Sequence, residues 1–234
     1  MAGDPSCAFL AITGSHHDTT PLPDPDVVAE WSERLCAMGF DRVRTNAVAP
    51  AMRELLAQDG FTIAQELVLY SLAHWTSSSL PASPSPRAQV AVKRPLRLGG
   101  ALTPALRREI LDLDTDCFGG TWGLDEGLLD DALAATPRSS VFVSRHERGL
   151  SGFVIAGLSD DMGYVQRLAV RGDMHRQGIA TALVSRALRW VARRGGRHSM
   201  VNTEVGNDAA RALYVKMGFA PLPARLAVMH KELR

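Results

Sequence analysis

The sequence predicts a mixed α/β (α+β) fold in which a largely antiparallel sheet is flanked by helices. Three observations predict it. Three short β-rich runs at 140–144, 152–158 and 164–170 follow one another across turn residues, as in an antiparallel meander. Beyond residue 178 the pattern changes to helix, strand, helix, strand, which adds helices packed on a mixed sheet. The chain is also 46% hydrophobic, enough to bury a real core and unlike a disordered chain.

Each element has its own signal. Residues 96–102 are a short strand candidate. Thr103-Pro104 supplies an N-cap and a first-turn proline, and Leu106, Ile110 and Leu113 then recur on one helical face. A second short helix is expected over 124–133. After the three strands comes a loop at 171–177 and an amphipathic helix. Its apolar positions are Ile179, Leu183, Val184, Ala187, Leu188 and Val191, and Gly195-Gly196 stops it. A strand over 200–205, a helix over 208–217 with Gly218 just past its end, and a strand over 226–230 complete the set.

The 234 residues exceed the usual single-domain size but fall short of two domains of about 150. The sharpest break is the run TSSSLPASPSPR at 76–87, whose Ser and Pro residues mark a semi-extended linker. The expected division is an N-terminal piece at 1–75, a linker at 76–94 and a main domain at 95–234. Lys plus Arg (26) nearly balances Asp plus Glu (25), so no global field points to nucleic acid or an anionic membrane. No uncharged apolar run reaches the ~20 residues of a membrane span. The first ten residues lack the basic start and apolar core of a signal peptide. Cys7, Cys36 and Cys117 form no paired framework, which fits a reducing compartment and a cytoplasmic location.

An internal repeat appears at an offset of 158 residues. Thr45, Ala51, Arg53, Leu55, Gly60 and Phe61 match Thr203, Ala209, Arg211, Leu213, Gly218 and Phe219, six identities over seventeen positions. Each block sits after an amphipathic helix and before a strand, which favours a degenerate half-repeat over chance similarity.

Two blocks carry the chemistry. In the first, the strand ending at Val170 leads through Arg171-Gly-Asp-Met-His-Arg-Gln-Gly-Ile-Ala180 into a helix. First-turn N–H groups have no internal partner and face whatever precedes them, so such a turn suits an anion. Gly178 lets the backbone approach a phosphate, and the helix dipole and Arg176 add positive potential. An ordinary strand-to-helix turn is the plainer alternative. The run is not a P-loop and lacks a dinucleotide fingerprint. In the second block Asn207, Ala210 and Tyr214 stand at i, i+3 and i+7, so they share a helical face, while Leu213 and Phe219 read as core. That face could wall a ligand, or Tyr214 could simply cap a core.

Together the blocks resemble the GNAT N-acetyltransferase superfamily. The family pattern is Gln/Arg-x-x-Gly-x-Gly/Ala, then Asn-x-x-Ala-x-x-Leu-Tyr-x-x-x-Gly-Phe about thirty residues later. Asn207, Ala210, Leu213, Tyr214, Gly218 and Phe219 complete the second part, and Gly178-Ile179-Ala180 end the first. His175 opens the first where the family has Gln or Arg, with Arg176 one place late. The similarity covers roughly 95–233.

The resemblance implies acetyl-CoA as acyl donor, a primary amine of a small molecule or peptide as acceptor, and no metal. It implies that the pantetheine arm pairs with the backbone of Leu168, Ala169 and Val170. The pyrophosphate would rest on His175, Arg176, Gln177, Gly178, Ile179, Ala180 and Thr181, with Asn207 and Ala210 beside the arm. Amides near 168–170 would polarise the thioester carbonyl. Tyr214 matches the family's general acid toward the departing thiolate, a phenol of pKa ~10 facing a thiol of ~8.5. Where some relatives carry a glutamate base this chain has Asn202. Glu204, two residues on and on the same strand face, becomes the first candidate base, with a plain solvated Glu as the alternative. Tyr164 and Gln166 could line the acceptor cleft. Phe118, Gly119, Gly120, Trp122 and Gly123 lie where the family borders the acceptor, or are core.

Other features read as structural. His16-His17-Asp18 lacks further ligands at useful spacing, which argues against a metal. Arg186, Arg189, Arg193, Arg194 and Arg197 read as the solvated face and C-terminal end of a helix. In the N-terminal piece Leu56 stands for Tyr214 and Ala49 for Asn207, and Asp24-Pro25-Asp26 precedes its helix. A truncated, non-catalytic GNAT-like half is expected there. The partner expectation is acetyl-CoA and an amine with no nucleic acid or membrane, as monomer or homodimer. A non-catalytic acyl-CoA-binding sensor or scaffold is the alternative, and nucleotide binding at Gly178 a weak third.

Overall fold

A computed structural model describes residues 6–12, 21–73, 102–147 and 149–234. The expected linker at 76–94, most of the strand candidate at 96–102, and His16, His17 and Asp18 lie outside the described residues. In order the elements are β1 (Cys7–Leu10), α1 (Pro25–Ala37), β2 (Arg42–Val48), α2 (Pro50–Gln58), β3 (Thr62–Ala73), α3 (Pro104–Trp122) and α4 (Glu126–Ala134). They continue with β4 (Arg138–His146), β5 (Gly149–Ser159), β6 (Met162–Val170), α5 (Ile179–Ala192), β7 (His198–Glu204), α6 (Asp208–Lys216) and β8 (Ala220–Glu232). The fold is mixed α/β with largely antiparallel pairing and flanking helices, as the sequence predicts.

The chain divides into two compact units, and β8 and part of β7 group with the N-terminal residues. The first unit comprises Tyr70–Val201 and Ala212–Ala220. Its strands run in the order β7-β6-β5-β4. The pairs β4–β5 and β5–β6 are antiparallel, and β6–β7 is parallel. One sheet face carries α3 and α4, where Ile110, Leu113 and Leu129 pack with Val141, Val143, Phe153, Ile155 and Ala169. The other carries α5, with Trp190 edge-on to Phe142 at 6.4 Å between ring centroids. Thr103 caps α3 through a hydrogen bond from Leu106 N, as expected of that Thr-Pro pair.

The second unit comprises Ala2–Leu69, Asn202–Arg211 and Pro221–Arg234. Here β1 pairs parallel with β2, and β2 pairs antiparallel with β8. Val28, Val43, Val48, Met52, Leu56, Phe61, Ala227 and Met229 form its core.

The two repeat blocks share local geometry as well as residues. In the first, Phe61 N donates to Leu56 O (3.1 Å) and Gly60 N to Ala57 O (3.1 Å); in the second, Phe219 N donates to Tyr214 O (3.0 Å) and Gly218 N to Val215 O (3.0 Å). Gly60 and Gly218 have φ of 80° and 89°. Each is therefore a strand, a short helix with a left-handed glycine exit, and a strand.

Candidate active site

The site begins with an irregularity in β6. Ile155 of β5 faces Arg167, but Ala156 faces Val165, so Gln166 is an extra residue in β6. Such a bulge puts two consecutive side chains on one face. Arg167 reaches Asp114 of α3. A Cβ added at Gly157 would meet Gln166 Nε2, and Gly157 shares a face with Ile155 of the α3/α4 core. Gln166 and Arg167 thus both face α3 and α4. Gln166 Oε1 is buried with no hydrogen-bond partner among the described residues. Tyr164, two residues before Gln166, is half-buried, and desolvation, helped by Asp160, pushes its phenol above the ordinary tyrosine value.

The end of β6 offers backbone groups. Arg171 N donates to Ser151 O at 3.0 Å. Since hydrogen-bonded pairs alternate along an antiparallel ladder, Ala169 also bonds to β5, while Leu168 and Val170 turn their N–H and C=O to the other edge. The register of β6 with β7 runs only from Met162↔His198 to Val165↔Val201. Of the three residues expected to offer backbone to a ligand, Leu168 and Val170 turn theirs to that other edge. Ala169 is instead committed to its neighbouring strand and buried. Val170 O accepts from the Cys117 thiol at 3.4 Å and contacts His175 Nε2 at 2.8 Å. The exposed His175 ring is therefore folded back on the strand end.

The turn that follows leaves a run of backbone amides open. A short 3-10 turn at Gly172–Met174 leads to Arg176 at φ 61° and Gly178 at φ 82°. A left-handed arginine is uncommon and costs free energy, and such left-handed positions make concave sets of N–H groups. Gly178 is the N-cap of α5 and has no side-chain cap. Ala182 N is the first to reach back, donating to Gly178 O at 2.9 Å, so Ile179, Ala180 and Thr181 N–H lack intrahelical acceptors. A Cβ at Gly178 would meet nothing within 4 Å, so the space above the turn is open. Close packing sets the helix there. A Cβ at Gly152 would stand 3.1 Å from side-chain atoms of Ile179 and Leu183, so the glycine lets α5 settle onto β5.

On α6, Tyr214 is 4% exposed. Its ring lies 6.0 Å from that of Tyr70, tilted, and 5.8 Å from that of Phe219, edge-on. Desolvation pushes its phenol far above the ordinary tyrosine value. Asn207 caps the helix: its Oδ1 accepts from Ala210 N at 3.0 Å, and its backbone O accepts from Arg211 N. On β7, Asn202 and Glu204 are exposed while Val201 and Thr203 are buried, the alternation expected of that strand.

The profile described as Acetyltransferase (GNAT) family matches residues 107–219. That span takes in the β6 bulge, the Gly178 turn and Tyr214. Residues 107–219 are a GNAT acetyltransferase domain. A curated relative, N-alpha-acetyltransferase 30 of Schizosaccharomyces pombe, is 39% identical over 57 residues, which is 24% of this chain and 38% of that protein. A GCN5-related N-acetyltransferase from Sphaerobacter thermophilus superposes with a TM-score of 0.59 at 16% identity, covering 89% of this chain and 68% of that one. A tandem GNAT protein from the clavulanic acid biosynthesis pathway gives a TM-score of 0.63 at 12% identity, covering 89% and 69%. At these identities the structures show a shared fold.

Three contacts of these residues carry no signal in the sequence. The Asp114–Arg167 ion pair joins residues 53 apart. Tyr70 lies beside Tyr214 from a distant strand. Cys117 meets the end of β6. No periodicity within one segment signals contacts of this kind. The Gln166–Arg167 pair left a faint trace, two consecutive long polar residues inside an otherwise apolar strand.

Proposed function

We propose that the chain transfers an acetyl group from acetyl-CoA to a primary amine, with peptide N-termini and small amines as the acceptor classes. The open turn at Gly178 carries this reading: two left-handed positions and three helix amides without partners among the described residues follow a strand that turns the Leu168 backbone and the Val170 N–H to its other edge. The pyrophosphate sits on the amides of Arg176 to Thr181, with the Arg176 side chain adding charge. The pantetheine arm pairs with Leu168 and Val170 as an added strand. Leu168 N–H polarises the thioester carbonyl. As the amine nitrogen bonds to the acetyl carbon, the C–S bond breaks. Tyr214 O–H protonates the leaving sulfur, and Glu204, directly or through water, accepts the proton from nitrogen. Asn207, whose Oδ1 caps α6, has its NH₂ left for the arm.

Residues 1–75 are proposed to be a degenerate GNAT-like half without catalytic groups, joined through 76–94 to the catalytic domain at 95–234. Leu56 replaces the phenol, and Ala49 opens its helix with no side-chain cap. Three free thiols support a reducing, cytoplasmic setting.

The experiment is thiol release from acetyl-CoA against a panel of tetrapeptides with varied N-termini, an N-blocked lysine peptide and aliphatic diamines. Saturable binding of acetyl-CoA without release by any amine would replace this reading with that of an acyl-CoA sensor. Gly178→Ala should raise the acetyl-CoA Kd by about tenfold in a calorimetric titration. A left-handed Cβ residue costs roughly 1–2 kcal/mol and the turn must shift to relieve it. Glu204→Gln should lower kcat/KM by about a hundredfold near neutral pH, with the loss shrinking as rising pH deprotonates the amine. An unchanged pH profile would remove Glu204 from the proton path.

A further inference from the structure

We infer that Arg167 is a positioning residue that clamps the Phe118–Leu124 segment against β6 and so sets how the acceptor amine meets the thioester. The inference rests on the acetyltransferase reading and deepens it. Arg167 Nε donates to Asp114 Oδ2 at 2.7 Å, and Nη2 donates to Asp114 Oδ1 at 2.7 Å and to Trp122 O at 2.6 Å. Its guanidinium carbon lies 3.6 Å from the centroid of the Phe118 ring. Asp114 is fully buried, and its Oδ1 also accepts from Leu124 N at 2.7 Å. One guanidinium therefore holds three points of this segment: the ring at its start, a carbonyl within it, and, through Asp114, the amide at its end.

The segment needs holding because its own backbone is broken. Gly119 interrupts α3 at φ 72° and ψ 177°, and Gly123 N donates to Gly119 O at 2.8 Å to close a tight exit. The clamp is charged where an apolar contact would serve stability as well or better, since a buried ion pair gains little over packed hydrophobes. What the ion pair adds is direction: a planar fork fixes the carboxylate, the carbonyl and the stacked ring in one arrangement. Arg167 is also the residue before Leu168, whose backbone groups face the open edge of β6. The β6 bulge turns Arg167 to the α3/α4 face beside Gln166 and its unpartnered buried oxygen. The clamp thus ties the α3–α4 connection to the strand that carries the reacting thioester.

Two variants test this. Arg167→Lys keeps one charge but loses the fork and the stacking. Arg167→Met combined with Asp114→Leu removes both charges, so no buried carboxylate is left unpaired. Both should keep the acetyl-CoA Kd within about twofold of the parent. The double variant should lower the melting temperature by only a few degrees, the cost of the Leu124 N–H losing its acceptor, because no charge is left buried alone. The kcat/KM for whichever panel peptide or diamine the parent acetylates fastest should fall roughly ten- to hundredfold, because small displacements of a bound nucleophile cost that much. The Leu124 amide should exchange its hydrogen faster in the double variant. An unchanged acceptor kcat/KM in a well-folded double variant would overturn the inference alone. A parent that binds no acetyl-CoA would overturn the acetyltransferase reading and this inference with it.

Discussion

Tyr214→Phe should lower kcat by roughly a hundredfold or more while leaving the acetyl-CoA Kd within a few-fold of the parent. General acid catalysis contributes typically 10²–10⁴-fold, and the variant deletes only the proton donor. The ring remains, so the aromatic contacts with Tyr70 and Phe219 persist and the core of the first unit keeps its packing. Steady-state thiol release and a binding titration check the two halves of the expectation. A variant that turns over like the parent would show that solvent, or another group, protonates the thiolate.

Burial adds a pH signature. The charged phenolate is disfavoured in the apolar surroundings of Tyr214, so its folded-state pKa lies above the ordinary value of about 10. The proton stays on Tyr214 throughout the working range. No alkaline loss of kcat below about pH 10 should then be traced to it. For stability the sign is set the same way. A raised folded pKa contributes fully below the unfolded value, and stability falls as pH rises above it.

Much of this site was legible because its signals are local. The unpaired amides at the start of a helix, the left-handed glycine and the spacing from Asn207 to Tyr214 each lie within a few residues of chain. Local backbone rules suffice to read them. The helix after Thr103-Pro104 and the meander at β4, β5 and β6 were legible for the same reason. What sequence reading missed depends on tertiary pairing. The bulge at Gln166 exists only relative to β5, and without it Gln166 and Arg167 would be assigned opposite faces. Ala169 looked equivalent to Leu168 and Val170 until the ladder alternation committed its backbone to β5. His175 stands where the family pattern has Gln or Arg. Its ring contacts Val170 O, a contact that depends on the 3-10 turn between them and that no local pattern signals.

Deleting residues 1–94 should leave a fragment, 95–234, that is insoluble or unfolds without a cooperative transition. The reason lies in β8. Ala227 and Met229 are each 1% exposed within the core formed with Val43, Val48 and Leu56. Thr45 Oγ1, buried on β2, accepts from Met229 N at 3.0 Å. The pairing runs from Arg42↔Glu232 to Val48↔Ala227, and Lys231 bonds Asp59 at 2.8 Å while Arg234 pairs with Asp41 at 3.0 Å. Removing the N-terminal strands strips this apolar face and leaves an open strand edge, a template for aggregation. Even the single change Met229→Ala should cost about 2–5 kcal/mol in a denaturant titration, as large-to-small changes in a packed core do. Expressing 1–75 as a separate chain alongside 95–234 should restore soluble protein, because β2 and its helices can then cover β8 without a covalent link. A lone 95–234 fragment with a sharp melt and undiminished thiol release would show that β8 folds without its N-terminal partners.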